Sequence, residues 1–134
     1  MKVEYVPTNF VHQQWESVEK FLSAALEHAC GDITIDQLRS DLGQNRAALY
    51  KVTEDDQVIG AISVVFQNQR NTRVAFINAM GGEWITKPEG VQQFTALIKQ
   101  AGATRLAGAG RDSMVRLCER LGLKKKYTVF EAAI

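Results

Sequence analysis

The sequence predicts an α/β fold with a mixed (α+β) sheet, its elements running β-α-α-β-β-β-α-β-α-β through residues 1–134 as a single domain. Three observations carry this prediction. An apolar stripe at helical spacing opens the chain, three consecutive β-rich runs are separated by polar breaks, and a strand–helix–strand passage follows from Arg73 to Ala109. The last of these requires a parallel strand pair within an otherwise antiparallel sheet.

Taken in order, Val3 and Tyr5 alternate with polar residues as a first strand, which Pro7 ends. Val11, Trp15, Val18, Leu22, Ala25, Leu26 and Ala29 then recur every three or four positions, so they share one face of a helix capped by Asn9 and stopped at Gly31. Thr34 and Gln37 have capping-box spacing ahead of a short helix through Ile35, Leu38 and Leu42, ended by Gly43. Ala47 to Thr53 and Val58 to Phe66 read as strands of a hairpin across Glu54 to Gln57, and Gln67 to Thr72 leads to a third strand, Arg73 to Met80.

Gly81 and Gly82 close that strand. Thr86 and Glu89 offer a second capping box for a helix reaching Ala101, with Val91, Phe94 and Ile98 on its buried stripe. Thr104 to Ala109 is a short strand, Asp112 caps a helix carrying Met114, Val115, Leu117, Cys118 and Leu121, and Gly122 suits its C′ position. Lys126 to Ala132 completes the sheet as a final strand.

Composition narrows the function classes. Hydrophobic residues are 46% and charged residues 23% of the chain, as in ordinary globular domains. With 16 basic and 15 acidic residues the net charge is +1, too small a field to favour nucleic acid or anionic lipid. No stretch approaches the roughly 18–20 apolar residues of a membrane helix, and the first residues do not read as a secretory signal. Cys30 and Cys118 form neither a disulfide framework nor a zinc ligand set, so a reduced, cytoplasmic setting is expected.

Two stretches, together with the element order, resemble the GCN5-related N-acetyltransferases. Val52 to Phe66, VTEDDQVIGAISVVF, is similar to that family's hairpin, in which an acidic turn leads to a strand with a small residue near its start, here Gly60. Asp112 to Leu123, DSMVRLCERLGL, is similar to its late helix and turn. There Leu121 and Gly122 match, Leu123 replaces a phenylalanine, and Cys118 occupies the place of a tyrosine. The resemblance implies the acyl-CoA N-acyltransferase fold, with acetyl-CoA in a V-shaped opening between the fourth and fifth strands. It also implies cofactor contacts from Ala79 and Met80 at the strand end and from Lys87, Gly90 and Val91 at the start of the next helix.

The cofactor window departs from the family pattern. Of the arginine or glutamine, two variable residues, glycine, one variable residue and glycine or alanine expected there, Lys87 to Gln92 keeps only Gly90 outright. Pro88 removes a backbone donor, Gln92 is long where a small residue is expected, and Glu83 and Glu89 add negative charge. Gly90 therefore has two readings, close approach of a phosphate or simple relief of the turn into the helix. Gly81 and Gly82 are likewise either a phosphate loop or a strand-ending turn.

Candidate catalytic residues are Glu83 as general base, with Asn78 or the main chain acting through water as the alternative, and Cys118 or Tyr127 as proton donor to the departing thiolate. Each has a plainer role as an exposed carboxylate, a packed thiol or a strand-end aromatic. His12 and His28 have no metal-ligand spacing. Two functions remain open. One is acetyl transfer from acetyl-CoA to a small-molecule amine or protein lysine. The other is a non-catalytic domain that binds a protein partner, such as a phage virion component or an inhibitor of a host protein. A free edge strand near the C-terminus also allows a homo-oligomer.

Overall fold

The computed structural model describes residues 1–27, 32–110 and 114–134. Five strands form one sheet in the spatial order β1-β2-β3-β4-β5, comprising β1 (Lys2–Val6), β2 (Ala48–Glu54), β3 (Gln57–Asn68), β4 (Arg73–Gly82) and β5 (Arg105–Gly108). The first four pair antiparallel, and β5 joins β4 in parallel, as the strand–helix–strand passage requires. Asp55 and Asp56 both take positive φ, the backbone of a two-residue hairpin turn whose twist matches its strands.

Helices cover both faces. On one lie α1 (Val11–Leu26) and α2 (Ile35–Gly43), whose Trp15, Val18, Leu22, Leu38 and Leu42 pack on Leu49, Ala61 and Ala79. On the other, α3 (Pro88–Gln100) and α4 (Val115–Arg120) cover Tyr50, Val52, Ile62, Val64, Ala75 and Ile77. Phe94 of α3 sits at the centre of that layer, edge-on to Tyr50 at 5.6 Å and to Trp84 at 5.5 Å. Gln93 ties α3 to β1 by accepting from Val3 N–H at 2.8 Å and donating to the Met1 carbonyl at 3.1 Å.

The Thr34–Gln37 capping box forms in full, with both reciprocal hydrogen bonds made. Two other caps do not form. Pro7 holds the chain extended and Thr8–Phe10 tightens into a 3-10 turn, so Asn9 lies inside that turn and Phe10 takes the N-cap position. Thr86 similarly belongs to the 3-10 turn Trp84–Thr86, where its hydroxyl donates to the Glu83 carbonyl at 2.8 Å. The third helix begins two residues later at Pro88, whose fixed φ and missing N–H suit the first helical position. The predicted caps Asp112 and Gly31 fall outside the described residues, as do His28 and Cys30.

The predicted final strand from Lys126 to Ala132 is not formed. Residues 123–134 carry no helix or strand, and every residue from 124 onward is exposed. β-propensity alone does not make a strand, because the extended backbone needs a hydrogen-bonded neighbour. In this chain the sheet ends at the four residues of β5.

Candidate functional site

The last two strands of the sheet, β4 and the edge strand β5, cease to pair where β5 ends. β4 and β5 pair from Val74↔Arg105 to Ile77↔Gly108, and β4 then continues to Gly82, paired among the described residues with β3 alone. A bulge lies at the point of parting: Val64 faces Ile77 and Ser63 faces Ala79, leaving Asn78 as the extra residue. The main chain from Asn78 to Gly82 therefore has no β5 neighbour, at the carboxyl ends of two parallel strands, the usual place for a ligand opening in such sheets.

Two buried polar atoms at this bulge have no partner among the described residues. Ser63 is fully buried and, among the described residues, its hydroxyl has no hydrogen-bond partner, nor has the buried Asn78 Oδ1. Neighbouring Ala79 is buried beneath α1, whereas Met80 is half-buried against the layer under α3. The backbone at these two residues lies along the opening, and their side chains serve the core.

At the start of α3 the donors predicted to meet a diphosphate are largely engaged. Lys87 N–H donates to the Trp84 carbonyl at 3.1 Å, while Gly90 and Val91 N–H both donate to the Lys87 carbonyl at 3.1 and 3.3 Å. Pro88 has no N–H to offer. The Lys87 ammonium is also engaged, since its Nζ lies 2.6 Å from Glu54 Oε2 at the end of β2. That hydrogen bond holds the Glu54 carboxyl below its ordinary pKa and raises that of Lys87.

Packing explains the glycines. A Cβ on Gly90 would lie 2.9 Å from Met1 Sδ and 3.0 Å from the Trp84 carbonyl oxygen, so its bare backbone admits the buried Trp84 beneath the helix. At Gly81 a Cβ would stand 2.4 Å from the Phe21 carbonyl oxygen, and α1 approaches β4 that closely because no side chain intervenes. Helix-on-strand contact thus requires a glycine at Gly81 independently of the phosphate-loop and turn readings.

Of the candidate catalytic side chains, Glu83 and Cys118 belong to elements that meet at the 3-10 turn after β4, whereas Tyr127 does not. Glu83 is exposed at the end of β4, and its carbonyl caps the 3-10 turn. Cys118 lies on α4, which packs against that same turn, and partial burial pushes its thiol pKa up. Tyr127 is 70% exposed on the segment beyond α4, so the final-strand position from which it would enter the opening is absent. Trp15 is a core residue with the Arg39 guanidinium over its ring, and His12 accepts a hydrogen bond from Arg39 at its Nδ1.

Among the described residues no group of three His, Cys, Asp or Glu is placed to hold a metal ion, and no helix is long and apolar enough to cross a membrane. Sequence reasoning missed Glu54 as the partner of Lys87 and Ser63 as a buried polar group. The first joins residues 33 apart, and a serine amid valines and isoleucines does not reveal on its own which face it occupies.

The chain shares the fold of solved acetyltransferases, and in this chain that fold is a mixed five-stranded sheet with helices on both faces. One solved structure that it resembles is a probable acetyltransferase, at 12% identity and a TM-score of 0.71, covering 100% of this chain and 98% of the other. Another is an aminoglycoside acetyltransferase from an uncultured soil metagenomic sample, solved in complex with sisomicin, at 14% identity, a TM-score of 0.69 and coverages of 99% and 95%. A third, glucosamine-6-phosphate N-acetyltransferase from Arabidopsis thaliana, aligns at 10% identity and a TM-score of 0.63 over 98% and 97%. No protein-family model and no curated protein matches the sequence.

Proposed function

We propose that this protein transfers an acetyl group from acetyl-CoA to an amine. The observation that carries the reading is the parting of β4 from β5 at Ile77↔Gly108, with the Asn78 bulge at its apex. Main-chain groups of β4 beyond that point are not bonded to β5, so they are available to an extended, amide-bearing chain such as the pantetheine arm. Asn78 to Met80 would hold that arm and orient its thioester. When bound, acetyl-CoA supplies an activated acyl group.

The diphosphate end fits less well. Lys87 is already paired with Glu54, and the nearby N–H groups of Lys87, Gly90 and Val91 have intramolecular acceptors. Binding there would require Lys87 to exchange Glu54 for phosphate, which costs little at an ion pair with both side chains 38% exposed. For the chemistry, Glu83 is the carboxylate nearest the strand end and would accept a proton from the attacking amine. Cys118, whose raised pKa keeps its thiol protonated at neutral pH, would return one to the departing thiolate. The acceptor class is a primary amine, on a small molecule or a protein lysine.

A second reading, a non-catalytic acetyltransferase-like domain that binds a protein partner, is favoured by one observation. The glycine of the cofactor window is accounted for by Trp84 and Met1 without any phosphate. Thermal unfolding with acetyl-CoA separates the two. Ligand at a hundredfold excess over its dissociation constant adds about 2.7 kcal/mol, a rise of about 10 °C for a domain of this size. An unchanged midpoint at millimolar acetyl-CoA, with no free coenzyme A released in the presence of amine substrates, would refute acetyl transfer.

A further inference from the structure

We infer that the groove between the start of α1 and the end of α2 binds a small zwitterion of the amino-acid class, its carboxylate on Arg39 and its ammonium on Asp36. A pocket of about 330 Å³ opens there, lined by His12, Asp36, Arg39, Ser40, Gly43 and Gln44. That volume lies at the small end of the roughly 300–1,000 Å³ of small-molecule sites.

Arg39 is set in place before any ligand arrives. Its guanidinium lies over the ring of buried Trp15, 5.4 Å from the centroid, and its Nε donates to His12 Nδ1 at 3.1 Å. His12 is itself seated on bare backbone, since a Cβ on Gly43 would lie 2.9 Å from the imidazole Nε2. A guanidinium anchored at its stem and stacked on one face has already lost rotamer freedom, so binding through it costs little further entropy. Among the described residues its terminal Nη groups have no hydrogen-bond acceptor, and no carboxylate stands within ion-pair distance of it.

The remaining lining selects the ligand. The Ser40 hydroxyl accepts from the Gln44 amide at 3.3 Å, which leaves its own proton to donate to a carboxylate. Asp36, in the first turn of α2, lines the same pocket without pairing to Arg39. A phosphate dianion would be repelled by this carboxylate, whereas a ligand with an ammonium beside its carboxylate satisfies both charges.

The pocket is separate from the end of β4. Phe21, whose carbonyl meets Gly81, lies nine residues along α1 from His12, or about 13 Å. A ligand here therefore bridges α1 and α2 instead of entering the transfer site, and the inference stands whether or not acetyl transfer occurs.

NMR of the isotope-labelled full chain, titrated separately with L-alanine, acetate, methylammonium and inorganic phosphate, tests it. L-alanine is expected to shift the Arg39 Nε–H and Gly43 amide signals saturably, with acetate and methylammonium each binding about tenfold more weakly or worse. Arg39→Lys keeps the charge but loses the planar fork, and should weaken L-alanine by about tenfold. Asp36→Asn should weaken L-alanine to a similar degree while leaving acetate unchanged or tighter. Signal dispersion in the same spectra shows that each variant is folded. Phosphate binding more tightly than L-alanine, or L-alanine binding indifferent to Asp36→Asn, overturns the zwitterion assignment. Absence of a saturable shift with every one of these probes overturns the site itself.

Discussion

Replacing Gly81 by alanine tests whether the glycine pair at the end of β4 serves packing or a ligand. The added Cβ would stand 2.4 Å from the Phe21 carbonyl oxygen and 3.0 Å from its carbon, where ordinary contact begins at 3.4 Å. These are backbone atoms of α1, so no side-chain rotation relieves the clash and the helix must retreat by about 1 Å. That helix buries Val11, Trp15, Val18 and Leu22 against the sheet, and a gap of 0.5–1 Å forfeits about a quarter to a half of each affected dispersion contact. Overpacking of this kind costs about 1–3 kcal/mol. The smaller backbone entropy of alanine in the unfolded chain returns about 0.4–1 kcal/mol. The net expectation is a loss of about 1–2 kcal/mol, or a midpoint lower by about 4–7 °C. Urea and thermal unfolding followed by far-UV circular dichroism, both without added ligand, measure it. A phosphate-loop glycine would leave the ligand-free protein unaffected, so an unchanged or raised midpoint refutes the packing argument.

Other consequences follow from the buried polar atoms and the ion pair. Ser63→Ala removes a fully buried hydroxyl that has no hydrogen-bond partner among the described residues, so it should be neutral or stabilise by about 1 kcal/mol in denaturant titration. Destabilisation of that size would mean the hydroxyl has a partner. The Glu54–Lys87 pair should make stability pH-dependent in a stated direction. The folded pKa of Glu54 is depressed, so its contribution is complete above the ordinary carboxylate value of about 4.3 and fades as pH falls through the lowered one. The Lys87 pKa is raised, so its share is complete below about 10.4 and is lost as pH rises through the higher value. The midpoint difference between wild type and Glu54→Gln should accordingly be level from about pH 6 to 9 and shrink in acid. A difference that grew on acidification would contradict the pairing.

The amino-acid sequence alone determined the elements whose signals are local. The α1 stripe from Val11 to Leu22, the Thr34–Gln37 box and the acidic hairpin turn at Asp55 and Asp56 all formed as read, because periodicity, capping and turn chemistry act within a few residues. The parallel pairing of β4 and β5 was also legible, since a helix between two strands leaves few other connections. Local signals failed where two of them competed: Thr86 matched a capping box, but Pro88 and the 3-10 turn set the helix start.

Tertiary structure decided everything at the opening itself. The bulge at Asn78, the meeting of Lys87 with Glu54 and the bare faces of Gly81 and Gly90 depend on what lies across the sheet or on a neighbouring helix. The final strand shows the same limit. Residues 126–132 carry its propensity, but a strand exists only where another backbone accepts its hydrogen bonds, and that partner is not encoded next to it in the chain.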